Sequence, residues 1–163
     1  MKRCLLTIAS LTLFGFATPM TQADEGHPHR HHEGRHGRAS AAGEPGNADK
    51  VDRMVEIRAM DTMQYDKPRL NAKAGETIKF VVTNIGKVRH EFSIGTAAEQ
   101  HEHAEMMKQM PDMVHADANM ITVEPGETKS LVWQFTRTGT VEIACHIPGH
   151  YEAGMKSKVT VVR

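Results

Sequence analysis

The chain has 163 residues, with 20 Lys and Arg balanced by 20 Asp and Glu, 11 His, 11 Met and only 2 Cys. That length fits one folded domain, and balanced charge without a basic stripe speaks against a nucleic-acid partner. No nucleophile motif of a hydrolase stands out along it.

Lys2 and Arg3 precede an apolar run from Cys4 to Phe16, followed by Ala17-Thr-Pro-Met-Thr-Gln-Ala23. Charged, then apolar, then small is the order of a secretory signal peptide, so residues 1–23 are expected to leave by cleavage after Ala23. The run is shorter than the roughly 20 apolar residues that span a bilayer. No later segment qualifies, so no membrane attachment is expected after the leader is removed. A lipoprotein anchor on Cys4 is ruled out because that residue starts the apolar run and does not end it. Export to a bacterial periplasm leaves a mature chain of net charge about −2, since Lys2 and Arg3 go with the leader. It also leaves one thiol, Cys145. A single thiol cannot close an internal disulfide, and in an oxidising compartment it is a liability unless something holds it.

Residues 24–50 are low in complexity and carry five histidines, His27, His29, His31, His32 and His36. They have no apolar periodicity to offset the entropy of ordering, which predicts a disordered tail. Several imidazoles on a flexible chain can gather around one metal ion; the alternative is a solvated linker that happens to be rich in His.

From Val51 onward the pattern turns strand-like, giving an expected folded domain over 51–163. Met54 to Ala59 alternates, as do Thr77 to Thr83 and Lys129 to Phe135. Arg69 to Lys73, His90 to Ile94, Met120 to Val123, Thr140 to Ala144 and Lys158 to Val162 complete the set. Pro125-Gly126 fits a type II turn. Seven or eight short strands separated by Pro/Gly turns argue an all-β sandwich with Trp133 in its core.

One insertion is helical. Thr96-x-x-Glu99 forms a capping box, and helix formers run from Ala97 to Met110 before Pro111 stops them. Within and just after it lie His101, His103, Met106, Met107, Met110, Met113 and His115. His103, Met106, Met107 and Met110 are spaced i, i+3, i+4, i+7 and so share one helical face. Thioether and imidazole together suit Cu(I), which makes this a candidate second copper surface. The competing reading is that the methionines simply pack the helix onto the sandwich.

The most informative run is Ala144-Cys-His-Ile-Pro-Gly-His-Tyr-Glu-Ala-Gly-Met155, which places Cys145, His150 and Met155 at five-residue intervals between two strands. Two His, one Cys and a weak, distant Met are the ligand set of a mononuclear electron-transfer copper site. His90 is the candidate second imidazole, since the other upstream histidines lie in the tail or the insertion. Such a donor set tolerates both copper oxidation states, so electron transfer needs little rearrangement. His146 neighbours Cys145 but faces the other way along an extended chain, so it is read as outward or behind the ligands.

His90 … Cys145-x4-His150-x4-Met155, with Pro148-Gly149 and Gly154, resembles the cupredoxin (type 1 copper) family over about Val51 to Arg163. Ile94-Gly-Thr, His101-Glu-His, Met110-Pro-Asp-Met, His115 and Asn119 look more narrowly like the periplasmic copper-tolerance cupredoxins. One departure is Glu91, where many cupredoxins carry an Asn that bonds across the site. The resemblance implies a Greek-key β-sandwich, one type 1 copper held by His90, Cys145, His150 and Met155, and a near-surface His150. Ile147, Pro148, Tyr151 and Ala153 would ring it where a redox protein partner docks. It implies copper tolerance by copper capture and electron transfer, with cuprous oxidase activity, Cu(I) to Cu(II), as the enzymatic version. The alternatives are a plain electron shuttle or a copper chaperone.

Overall fold

A computed structural model of the chain describes residues 40–111, 114 and 117–163. The proposed leader and the tail histidines, like Met113 and His115, lie outside the described residues. Strand β2 (Arg53–Met60) buries Val55, Ile57 and Ala59 and exposes most of the residues between them, the signature of a strand with one covered face. Five strands form the first sheet in the order β1 (Glu44–Pro45), β8 (Thr128–Gln134), β5 (Thr77–Asn84), β2 and β3 (Gln64–Tyr65). The second runs β4 (Arg69–Lys73), β10 (Lys156–Val162), β9 (Gly139–Ala144), β6 (His90–Gly95) and β7 (Met120–Val123). Pairings β2/β5 and β4/β10 are parallel and the rest antiparallel.

The two inner faces close over Phe80, Phe92, Phe135, Ile57, Ile78 and Trp133. Phe80 contacts Phe92 across the core at 5.4 Å between ring centroids. The molecule is thus the expected all-β, Greek-key sandwich with a short helical insertion. It has ten strands where seven or eight were expected, because β1 and β3 are two-residue pairings too short to show periodicity.

The boundary expected at residue 50 is corrected here. Ala42 is buried, its carbonyl accepts the Trp133 indole N–H at 3.3 Å, and Glu44–Pro45 pair with Gln134 and Trp133. Gly43 makes this approach feasible: at φ 142° a Cβ would sit 2.1 Å from the Gln134 carbonyl oxygen. Residues 40–50 therefore belong to the folded unit.

Helix α1 (Ala97–Gln109) begins at the predicted capping box, with Thr96 Oγ1 accepting the Glu99 N–H and Glu99 accepting the Thr96 N–H. It turns Gln100, His103 and Met107 inward against β6 and β9. No helix among the described residues is long and apolar enough to cross a membrane.

Candidate metal centre

The strand order brings two distant segments to one end of the sandwich. Neighbouring strands β6 and β9 pair Ser93 with Ala144, so His90 at the start of β6 lies beside the loop that leaves β9. That loop, residues 145–155, is folded back by its own backbone. The Cys145 N–H donates to Met155 O at 3.1 Å, Met155 N–H to His150 O at 3.0 Å, and His150 N–H to Ile147 O at 3.0 Å. Loop geometry is therefore determined locally, before any ion is considered.

Ligand atoms of His90, Cys145 and His150 lie within 4.8 Å of one another, the one such His/Cys/Asp/Glu group among the described residues. Cys145 Sγ is 3.4 Å from His150 Nδ1 and accepts the Glu91 N–H at 3.3 Å. The His90 and His150 rings stand 5.2 Å apart. Cys145, His90 and Met155 are fully buried, while His150 is partly open. Met155 closes the loop onto Cys145 through its backbone and packs in the core cluster.

The donor set fits a copper ion. Neither ring nitrogen of the buried His90 has a hydrogen-bond partner among the described residues, and such orphaned buried groups cost about 1–3 kcal/mol each unless a ligand satisfies them. Burial keeps His90 and His150 neutral by lowering their pKa below the ordinary imidazole value, which leaves lone pairs ready for a metal. Burial also pushes the Cys145 thiol up to about 12, so an incoming cation has to displace its proton. A soft thiolate with two imidazoles and a nearby thioether suits copper better than magnesium or calcium.

Behind Cys145 lies a second polar cluster that sequence reasoning did not assemble. Glu91, fully buried, accepts from His103 Nε2 at 2.9 Å and from the His146 backbone N–H at 3.1 Å. The Gln100 amide donates to the carbonyls of Ser93 and Glu142, so its oxygen accepts from His146 Nε2 at 2.8 Å. Tyr151 stacks on His146 with centroids 5.0 Å apart, and the Tyr65 hydroxyl donates to the Glu91 carbonyl. Glu91 thus ties the strand of one candidate ligand to the loop of the other three. The only sequence signal for it was the departure from Asn.

The insertion's predicted face divides. His103 and Met107 turn inward, Met106 is half-buried, and His101 and Met110 are exposed. This arrangement favours the packing reading of the methionine stripe. His146 faces away from Cys145, as adjacency requires, yet is buried because helix α1 and Tyr151 cover it.

A family model described as copper binding proteins of the plastocyanin/azurin family matches residues 51–162. The chain is similar to a copper-resistant cuproprotein, CopI, of Rubrivivax gelatinosus, with 43% identity over 164 residues covering 99% of each chain. It is 38% identical to the corresponding Vibrio cholerae protein, over 94% of this chain and 93% of that one. Among solved structures, dithionite-reduced auracyanin of Roseiflexus castenholzii superposes with a TM-score of 0.60 at 25% identity, covering 70% of this chain and all of that one.

Proposed function

Because the chain belongs to the plastocyanin/azurin family of copper-binding proteins, we propose that it is a periplasmic copper-tolerance protein that captures copper and carries electrons at one centre, held by His90, Cys145, His150 and Met155. The observation that carries this reading is the convergence of two imidazoles and a lone thiol within 4.8 Å at a loop end. Similarity to copper-resistant cuproproteins over nearly the whole of both chains supports the tolerance role. The leader-like residues 1–23 support export.

When bound, copper supplies one-electron chemistry, which a Cu(I) substrate ion oxidised to Cu(II) requires, its electron passing on to an external acceptor such as oxygen or a redox protein. The chain's own residues do the rest. Cys145 and His90 sit where water is excluded, and Glu91 N–H steadies the sulfur. His150 stands half-open near the exposed Pro148, an opening suited to an electron partner. Copper beyond the first equivalent belongs to the tail histidines His27 to His36 on this reading, since the insertion turns His103 and Met107 inward.

The test is metal loading of the mature protein, with copper counted and the visible spectrum recorded, followed by a Cu(I) oxidation assay under oxygen. Tolerance with oxidation predicts an intense thiolate-to-copper band, copper beyond one equivalent that disappears on deleting residues 24–39, and turnover of Cu(I). One copper per chain and no turnover would favour the shuttle. Rapid release of that copper to a chelating competitor would favour the chaperone.

A further inference from the structure

His90 poses a question that the candidate ligand set alone does not answer. A neutral imidazole has one lone pair and one N–H, and in this ring both nitrogens are buried without a hydrogen-bond partner among the described residues. A metal ion answers for the lone pair only. Which group receives the N–H also decides which nitrogen is left to bind.

The turn between β2 and β3 supplies a candidate. Asp61 Oδ1 lies 3.6 Å from His90 Nε2, just beyond hydrogen-bonding distance. The carboxylate is not loose, although its side chain is 41% exposed. Its two oxygens accept the Lys87 N–H at 2.9 and 2.8 Å, and Oδ1 is 3.3 Å from the Val88 N. The loop that receives it is itself fastened by Asn84, which accepts the Gly86 N–H at 2.9 Å and donates to the carbonyls of Val88 and Val123.

Space for the carboxylate comes from Gly86. A Cβ built there would stand 1.9 Å from Asp61 Oδ1 and 2.7 Å from its Cγ. Any other residue at 86 would drive the carboxylate away from His90. The turn, the loop and the glycine thus all hold one negative group beside the ring.

We propose that Asp61 is a positioning residue of the metal centre: its carboxylate receives the Nε2 proton of His90, so that Nδ1 presents its lone pair to the ion. The inference rests on His90 being a ligand of the copper site proposed above. Outer carboxylate partners of this kind orient a ligating imidazole and raise its basicity, and removing one typically weakens metal binding about 10–100-fold. A fixed negative charge beside a ligand also favours the more highly charged Cu(II), so it lowers the reduction potential.

The experiment compares Asp61→Ala, Asp61→Asn, Gly86→Ala and the Asp61→Ala/Gly86→Ala double variant with the parent protein. Nitrogen-15 NMR of the His90 ring is read without metal; Cu(II) affinity and reduction potential are read after loading with copper. Asp61→Ala should lose the Nε2-protonated tautomer, weaken Cu(II) binding about 10–100-fold and raise the potential. Asn keeps an acceptor oxygen, so Asp61→Asn should retain the tautomer and recover part of the affinity. Gly86→Ala should reproduce the Asp61→Ala effects with the carboxylate still in the chain, and the double variant should be no worse than Asp61→Ala alone. If Asp61→Ala lowered thermal stability while tautomer, affinity and potential stayed at parent values, Asp61 would be only a loop brace and the proposal would be overturned. Additive effects in the double variant would overturn it too. A parent protein lacking the thiolate-to-copper band would sink the copper reading itself, while the metal-free tautomer would still report on Asp61.

Discussion

The His90 and His150 rings stand 5.2 Å apart, the His103 and His146 rings 5.1 Å, and the two pairs lie to either side of the backbone around Cys145. The first pair faces a thiol, and its inner member has no protein hydrogen bond on either nitrogen. In the second pair, His103 is bonded to Glu91 and His146 to Gln100. Proximity of imidazoles therefore does not distinguish a metal pocket from a structural cluster. What separates them is that each ring of the second pair has one nitrogen bonded to a protein acceptor, whereas neither nitrogen of His90 does.

The sharpest way to break that comparison is Cys145→Ser. It removes the one thiol among the described residues, so the thiolate-to-copper band should vanish and copper affinity should fall by orders of magnitude. The fold should survive, because Ser retains an acceptor for the Glu91 N–H. Optical titration with copper, alongside urea unfolding of the metal-free protein, reads both. A surviving charge-transfer band would move the metal to some other part of the molecule.

Glu91→Ala is the reciprocal experiment on the opposite side. It strands a buried imidazole N–H and the His146 backbone N–H, and breaking a buried, charge-assisted network of this kind costs about 3 kcal/mol. The urea midpoint of the metal-free protein should drop accordingly, far more than for Cys145→Ser. Glu91→Gln, which retains an acceptor oxygen, should cost roughly a third as much. Equal stability for all three would mean that the helix side is not the structural half.

This division explains what could be read from residues alone. The Cys145-to-Met155 spacing, the alternating strands and the Thr96 capping box are local patterns, and each stands where it was expected. His90 was reachable by elimination. Strand β1 was not, because Glu44–Pro45 carries no apolar alternation and pairs only where Gly43 admits the chain beside Trp133. Glu91 was hidden for a related reason. Every residue of β6 is buried, since helix α1 covers the face that alternation assigns to solvent. Asp61 and His90 meet only through the parallel β2/β5 arrangement and the loop that follows it, which no short-range pattern encodes.

Acid sharpens the contrast at smaller amplitude. His146 is lowered to about 4, first by burial and then by neighbouring His103, and burial lowers His90 and His150 as well. In the unfolded chain these imidazoles titrate near 6.5, so the unfolded state takes up protons first as pH falls. Metal-free stability should be complete above about pH 6.5 and decline toward pH 4, His146 contributing at most roughly 3 kcal/mol. Urea midpoints between pH 7.5 and 4.5 check the slope, and His146→Asn should flatten it. Bound copper should remove the share of His90 and His150 and leave that of His146. A slope unchanged by the His146 substitution would place the acid sensitivity on the ligand side.

The smallest effects are expected on the outer face of helix α1. His101 and Met110 are exposed and lie nine positions apart, which places them on different faces of the helix. Their replacement by Ala should shift stability by less than about 0.5 kcal/mol and leave the copper count unchanged. Met107→Ala, by contrast, empties a fully buried site against the strands and should cost about 2–3 kcal/mol without altering the spectrum. If the exposed pair lowered the copper count, the helix would bind metal by its solvent face. Soft donors would then serve two sites, against the proposal that assigns additional copper to the histidines of residues 27–36.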